Sequence, residues 1–218
     1  MRNAFDAQAE AAVQKRVTAL EAATGIEVVS AVIARADSYP EIPWKAFALG
    51  ASLAALASIG AALLDPGWDA SHAILEATSA VLATGAAAAV ATLWIAPFAR
   101  LFLPRQRREG EVLQYAQALF LETGMFRTSR HEGVLVLVSL FERQVVVVAD
   151  RGVRDRLTNT DLDSVIAAAT RRLANGALKE GLLEGLARLE EVLIERGFQA
   201  RPGRANEISD AVIRGEPS

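Results

Sequence analysis

The 218-residue chain contains no cysteine. That excludes disulfides and thiolate-held metals. Histidine occurs only twice, at His72 and His131, with no second histidine near either. Both read as ordinary polar residues, so a zinc centre or a histidine acid–base site is not indicated. There is no Walker phosphate loop, no glycine-rich dinucleotide fingerprint and no nucleophile elbow. The net charge is −3, and the one basic cluster is RQRRE. Together these speak against a nucleic-acid partner. The opening residues, MRNAFDAQAEAAVQKRVTALEAATG, are repeatedly charged and lack the apolar centre of a signal peptide.

Charge is also missing from two long stretches. Ala46 to Leu64 and Ala77 to Ala99 carry no Asp, Glu, Lys or Arg. At about 1.5 Å per residue the first is a helix about 28 Å long, close to the roughly 30 Å core of a bilayer. Both are rich in Ala, Gly and Ser, which favour insertion less than Leu or Ile does. A buried helical hairpin in a soluble protein would share that composition, but span length and flanks favour the membrane.

The connection DPGWDASHAILE, which includes His72, holds Asp65, Asp69 and Glu76 but no basic residue. The outer flanks carry Arg35 and Lys45 on one side and Arg100, Arg105, Arg107 and Arg108 on the other. By the positive-inside rule the short acidic loop is external and both flanks are cytoplasmic. RQRRE fits that topology signal; it also suits anionic lipid headgroups. Trp44, Trp68 and Trp94 fall near the ends of the runs, where aromatic belts form. A membrane protein with two spans and both termini in the cytoplasm is expected. Small residues four apart, Gly50 and Ala54, Ala57 and Ala61, Gly85 and Ala89, allow close helix packing. They predict a tight hairpin and leave room for a homodimer.

Removing residues 44–104 leaves about 150 residues, enough for one domain with its own core. The expected order is 1–43 as the first part of that domain, 44–104 as the hairpin, and 105–218 as the remainder and tail. Phe5 to Ala23 reads as an amphipathic helix capped by Gly25, and Ile26 to Ala34 as a strand. Glu109 to Glu122 reads as a helix with Val112, Leu113, Ala116, Leu119 and Phe120 on one face. GVLVLVSL (133–140) and QVVVVAD (144–150) are strands joined by a tight turn. Their apolar runs imply that both sheet faces are covered. A helix follows with Thr160 as N-cap and Asp161 and Asp163 in its first turn. Its stripe is Leu162, Val165, Ile166, Ala169 and Leu173. A last helix carries Leu178, Leu182, Leu183, Leu186, Leu189 and Leu193 and ends at Gly197. The Pro/Gly-rich tail reads as irregular. The first two strands are expected to be parallel, with the helix from 109 as a right-handed crossover. An insertion there must return the chain to the side it left, and two crossings do so.

ETGMFRTSRHEGVLVLVSLFERQVVVVADRGVRDRLT, followed by two helices, resembles the TPM domain, as does the earlier TGIEVVSAVI. The family is named for a thylakoid-lumen acid phosphatase, a photosystem II repair protein and a nematode acetylcholine-receptor auxiliary protein. The resemblance covers about two-thirds of the chain, on both sides of the insertion. The hairpin after ARADSYPEIPW and the tail ANEISDAVI are similar to a membrane-bound bacterial branch. The resemblance implies a Rossmann-like α/β/α sandwich and, in some members, divalent-cation binding or weak phosphatase activity.

The residues leave carboxylates as the chemistry to consider. Asp37 and Glu41 follow the first strand and Glu142 the second, so parallel strands would bring all three to one sheet edge. Open α/β sheets bind ligands at that edge, and loop oxygens suit Ca²⁺ or Mg²⁺. Asp150 and Asp155 lie toward the opposite edge; soluble TPM members tend to have glycine around the position of Asp150. All five also fit a plain reading as solvated loop acids. Two functions are therefore open. One is a non-enzymatic or weakly enzymatic module presented to a membrane-protein partner or the lipid surface. The other is a divalent-metal-dependent phosphatase, which needs several carboxylates converging on the cation.

Overall fold

The computed structural model describes residues 7–64, 70–128, 130–173, 175–200 and 211–215. Phe5, residues 65–69 with Trp68 and Asp69, and residues 201–210 and 216–218 lie outside them. The helices are α1 (Ala7–Thr24), α2 (Glu41–Leu64), α3 (Ala70–Trp94), α4 (Ala96–Arg100), α5 (Arg105–Glu122), α6 (Arg151–Arg154), α7 (Asn159–Leu173) and α8 (Leu178–Glu195). The strands are β1 (Glu27–Ile33), β2 (Gly133–Ser139), β3 (Gln144–Ala149) and β4 (Ile213–Gly215), and a 3₁₀ turn spans Met125–Arg127. The chain divides into two compact units, one of residues 1–37 and 109–218, the other of residues 38–108.

The first unit is an α/β sandwich on a four-stranded sheet of order β3-β2-β1-β4. β1 runs parallel to β2, with Glu27 opposite Gly133 and Ile33 opposite Ser139. β3 returns antiparallel to β2. Strand side chains alternate between faces. Val28, Val32, Val134, Val136 and Val138 pack with α1, α7 and α8 on one face. Val29, Ala31, Ile33, Leu135 and Leu137 pack with α5 on the other.

α1 buries Ala9, Val13, Val17, Leu20 and Thr24 at helical spacing. It stops at Gly25, whose φ of 71° belongs to the left-handed region and which donates its N–H to the Glu21 carbonyl at 2.7 Å. α8 fully buries Leu182, Leu186, Leu189 and Leu193. A buried leucine contributes about 1.5–3 kcal/mol relative to an exposed one, against about 0–1 kcal/mol for a surface ion pair. The leucine stripe, rather than pairs such as Arg172–Glu184 at 2.8 Å, therefore holds α8 in place.

Several details differ from the sequence reading. The N-cap of α7 is Thr158, not Thr160: Asp161 N–H donates to Thr158 Oγ1 at 3.2 Å, and Thr158 N–H donates to Asp161 Oδ2 at 2.8 Å. This reciprocal box satisfies two donors at once, which Thr160 inside the helix does not. Leu113 is 44% exposed rather than on the buried face. β1 and β2 are buried throughout, but QVVVVA is half-buried because β3 lies at the margin of the sheet. The tail contributes β4, parallel to β1 at Ala31–Ile33 and tied to α1 by an Arg214–Glu10 ion pair. Three residues are too few to show a periodicity.

The second unit is the helical hairpin. α2 begins at Glu41, ahead of the expected boundary, and His72 lies within α3 rather than in a loop. The second apolar run is not one helix: it breaks at Ile95, with Pro97 in the first turn of α4. α2 and α3 pack through glycine. A Cβ on Gly50 would sit 2.9 Å from Ala88 Cβ and from the Thr84 carbonyl oxygen, and one on Gly85 would sit 2.9 Å from the Phe47 ring. The base of the hairpin is fastened by Lys45 Nζ donating to the Phe102 carbonyl at 3.3 Å and by Arg107 against Glu41 at 3.0 Å.

Candidate functional site

Because β1 and β2 are parallel, the segments leaving them emerge at one edge of the sheet. Two backbone bonds lash those segments together: Leu140 N–H donates to the Ile33 carbonyl and Phe141 N–H to the Ala34 carbonyl, both at 3.0 Å. Arg143 closes the turn into β3 with φ 53°. The Arg35 guanidinium lies 4.3 Å above the Phe141 ring, a favourable cation–π separation.

Glu142 is the centre of this edge. Its side chain is fully buried. Oε1 accepts the Ala36 N–H at 2.9 Å, and Oε2 accepts the Ser139 hydroxyl. A buried charge is costly unless it is paired or hydrogen-bonded, and here both oxygens are engaged. The geometry makes Glu142 a clasp between the β1 exit and the β2–β3 turn, while Arg35, Asp37 and Arg143 are held on the rigid edge around it. Ser139 and the Ala36 amide were not picked out from the sequence. Ser139 ends β2, and only the turn that follows it brings Glu142 back to its hydroxyl.

Each of the other sequence-derived acids has its own setting. Asp37 is half-buried on the same edge as Glu142. Glu41 opens α2 in the hairpin unit and pairs with Arg107. Asp150 follows β3 at the opposite edge and caps α6, accepting the Arg151 N–H at 2.7 Å; its Oδ2 lies 3.4 Å from His131 Nδ1. Asp155 is exposed and faces Arg151 at 3.6 Å. Among the described residues no three His, Asp or Glu side chains are grouped to hold a metal ion. Asp37 and Glu142, whose two oxygens are already engaged, supply far fewer side-chain oxygens than the six to eight ligands of a Ca²⁺ site.

The opposite edge explains part of the RGV motif. A Cβ on Gly152 would lie 2.6 Å from the Arg130 carbonyl oxygen and 2.7 Å from that of His131. Only glycine permits that approach. The motif is thus a packing requirement of the fold.

The Arg196 guanidinium, followed by the Thr158 N–H and hydroxyl, holds the Asp161 carboxyl well below the usual carboxylate range. Arg196 in turn is raised by Asp161, and their closest approach is 2.8 Å. This pair locks the start of α7 to the end of α8. It is structural, and it lies outside the edge built around Glu142.

The comparisons with known proteins agree with this architecture. The NMR structure of the BA42 protein from the psychrophilic bacterium Bizionia argentinensis is similar, with a TM-score of 0.57 and 15% identity over 96% of this chain and 94% of that one. At that identity the likeness is one of fold. No curated protein matches the chain. The family model of the TPM domain, which bears the label TPM phosphatase, matches residues 84–192, from within α3 through most of α8. The match takes in β2, β3, Ser139 and Glu142 of the clasp and the Gly152 contact, and the chain belongs to the TPM-domain family.

Proposed function

We propose that this chain is a TPM-domain protein anchored in the bacterial inner membrane by the α2–α3 hairpin. Its termini and α/β domain lie in the cytoplasm, where the domain serves as a binding or scaffolding module for membrane-protein partners or the lipid surface. The observation that carries this reading is the exposure of the hairpin. Only 6% of the apolar window of each helix is buried. Leu56, Leu63, Ile74 and Leu93 are 66%, 78%, 69% and 71% exposed. A core helix of a soluble protein buries such residues, and monomers rarely expose contiguous apolar patches beyond a few hundred Å². A 24-residue α2 is about 36 Å long at ~1.5 Å per residue, sufficient for a core of roughly 30 Å. The basic residues at the base of the hairpin support the orientation, and the exposed Trp44 and Trp94 suit a membrane interface.

The module reading is favoured over a divalent-metal-dependent phosphatase by the state of the carboxylates. Glu142, the most deeply buried of them, is spent on holding the edge together. The label of the family is what supports the phosphatase.

The test is labelling of single-cysteine variants of this cysteine-free chain in intact cells. Asp69→Cys is expected to react with an impermeant maleimide from outside, and Asn3→Cys only after permeabilisation. The reverse pattern overturns the orientation. A chain that stays soluble without detergent overturns the anchor. Phosphate release from a simple aryl phosphate that requires added Mg²⁺ or Ca²⁺ and is lost in Asp37→Asn would overturn the module reading in favour of the enzyme.

A further inference from the structure

The two ends of the hairpin unit differ in charge. At the base, segments 38–48 and 95–108 carry Lys45, Arg100, Arg105, Arg107 and Arg108 against the single acid Glu41. The connection at the other end, 64–76, holds Asp65, Asp69 and Glu76 and no Lys or Arg. Glu41 and Lys45 stand four apart on α2, on one face of the helix. Glu41 meets Arg107 at 3.0 Å, and Lys45 Nζ donates to the Phe102 carbonyl at 3.3 Å. That face of α2 is therefore held against the link from α4 to α5. After the break at Ile95, α4 touches α2 as well as α3, and Ala46 and Ala99 are buried.

The cations at this junction outnumber their acceptors. Arg107 already uses Glu41, the one acid of the base. The exposed Lys45 ammonium has three N–H donors and spends one on Phe102. Arg108, the residue after Arg107, is half-buried, and its Nε is enclosed without a hydrogen-bond acceptor. Enclosing such a group is costly unless it meets an acceptor. The depth is also that of a headgroup. Gly50 packs against Thr84 and Ala88 of α3. Lys45 precedes Gly50 by about 7.5 Å along α2, which sets it level with the last turn of α3, where Trp94 lies. Tryptophan marks the headgroup level of a bilayer, and Trp44, Trp94, Ile95 and Leu101 are exposed at this end.

We propose that the junction of α2, α4 and the first turn of α5 binds the phosphate of an anionic phospholipid, with Lys45 and Arg108 as donors to its oxygens and the acyl chains against Trp94, Ile95 and Leu101. The site rests on the hairpin lying in a bilayer, as proposed above, and narrows the lipid surface to one headgroup chemistry. Basic clusters at the cytoplasmic ends of membrane helices attract anionic headgroups in this way. Arg100 and Arg105 add positive charge around the phosphate.

The test uses the full chain in vesicles of equal phosphatidylglycerol and phosphatidylcholine, with one or the other lipid brominated on its acyl chains. On a Trp68→Phe background the fluorescence comes from Trp44 and Trp94 alone. Brominated phosphatidylglycerol is expected to quench it several-fold more effectively than brominated phosphatidylcholine. The preference should fall to near parity in Lys45→Gln with Arg108→Gln and persist in Lys45→Arg. It should also persist in Lys15→Gln, which removes the same charge from α1, and in millimolar inorganic phosphate at matched ionic strength. Equal quenching of the wild type by both lipids overturns the site and leaves the anchor standing. Quenching by neither lipid overturns the anchor and the site with it. A loss in Lys15→Gln as large as in Lys45→Gln reduces the effect to net charge and overturns the site. Abolition by inorganic phosphate overturns the lipid as its ligand. If the double variant does not insert, Lys45→Gln alone decides, and a preference equal to that of Lys45→Arg counts against the proposal.

Discussion

The Glu142 carboxylate reaches across 106 positions of sequence to accept the Ala36 N–H at 2.9 Å. This single bond, with the Ser139 hydroxyl on the other oxygen, fixes the segment leaving β1 against the turn between β2 and β3. Glu142→Ala leaves both donors buried without their acceptor. Each such donor costs about 1–3 kcal/mol, so a lowered thermal midpoint is expected. Serine at 139 replaced by alanine should cost less, because it removes a donor and leaves the Ala36 bond intact. Millimolar Ca²⁺ or Mg²⁺ is expected to leave the midpoint of the wild type where it was. A rise in the wild type that disappears in Glu142→Ala would instead assign the carboxylate to a cation.

Asp161 predicts a specific acid sensitivity. Its carboxyl is held low chiefly by the Arg196 side chain, so the folded chain keeps it ionised at acidities where the unfolded chain takes up a proton. The stabilisation is fully present above the ordinary carboxylate value of about 4. It is lost as the pH falls below that toward the depressed folded value, because there the unfolded state binds more protons. Asp161→Asn should be less stable than wild type at neutral pH, and the gap should narrow below about pH 4. Melting temperatures of both proteins across that range provide the check, and parallel profiles would remove Asp161 from the account.

Much of the fold was legible because it is written in local periodicity. The buried stripe of α8 and the near-continuous apolar runs of β1 and β2 require no partner to be recognised. What was missed depends on partners far away or on very short segments. Thr158 caps α7 because Asp161 answers it, whereas Thr160 looked equally suitable by residue type. β3 reads as a buried strand from its valines alone, and only the strand order makes it an edge. The candidate site was half legible. Parallel strands place Asp37 and Glu142 at one edge, as their positions after β1 and β2 implied. That Glu142 turns inward, rather than toward a ligand, follows from a contact no local pattern contains.

The hairpin separates two glycines that are already used from one that is not. Gly85→Leu drives a side chain into the Phe47 ring, and Gly50→Leu into Ala88 and the Thr84 backbone. Overpacking of this kind costs about 1–3 kcal/mol, and both variants should lose protease protection or accumulate poorly. Gly60 has open space around its Cβ position, so Gly60→Leu should insert normally. Equal tolerance at all three positions would show that α2 and α3 do not pack through these glycines.

Among the described residues, none from 38–108 belongs to the two cores of the α/β unit. Every apolar side chain that seals the sheet comes from α1, the strands, α5, the 3₁₀ turn, α6 to α8 and the flanking segments of that unit. Replacing Ser38–Arg108 with a short flexible linker should therefore leave a domain that folds by itself. Closing the shorter connection carries a small entropic change, since each doubling of loop length costs only about 0.6 kcal/mol. The first four residues of α5 are removed as well, but the positions that bury the helix, Val112, Ala116, Leu119 and Phe120, remain. The shortened chain is expected to be soluble without detergent, with mixed α/β circular dichroism and a cooperative melt. Its midpoint should drop when Leu186→Ala opens a cavity under α8, by about 2–5 kcal/mol of stability. Aggregation with a non-cooperative melt would mean that the hairpin contributes to the core, and would count against an independent cytoplasmic module.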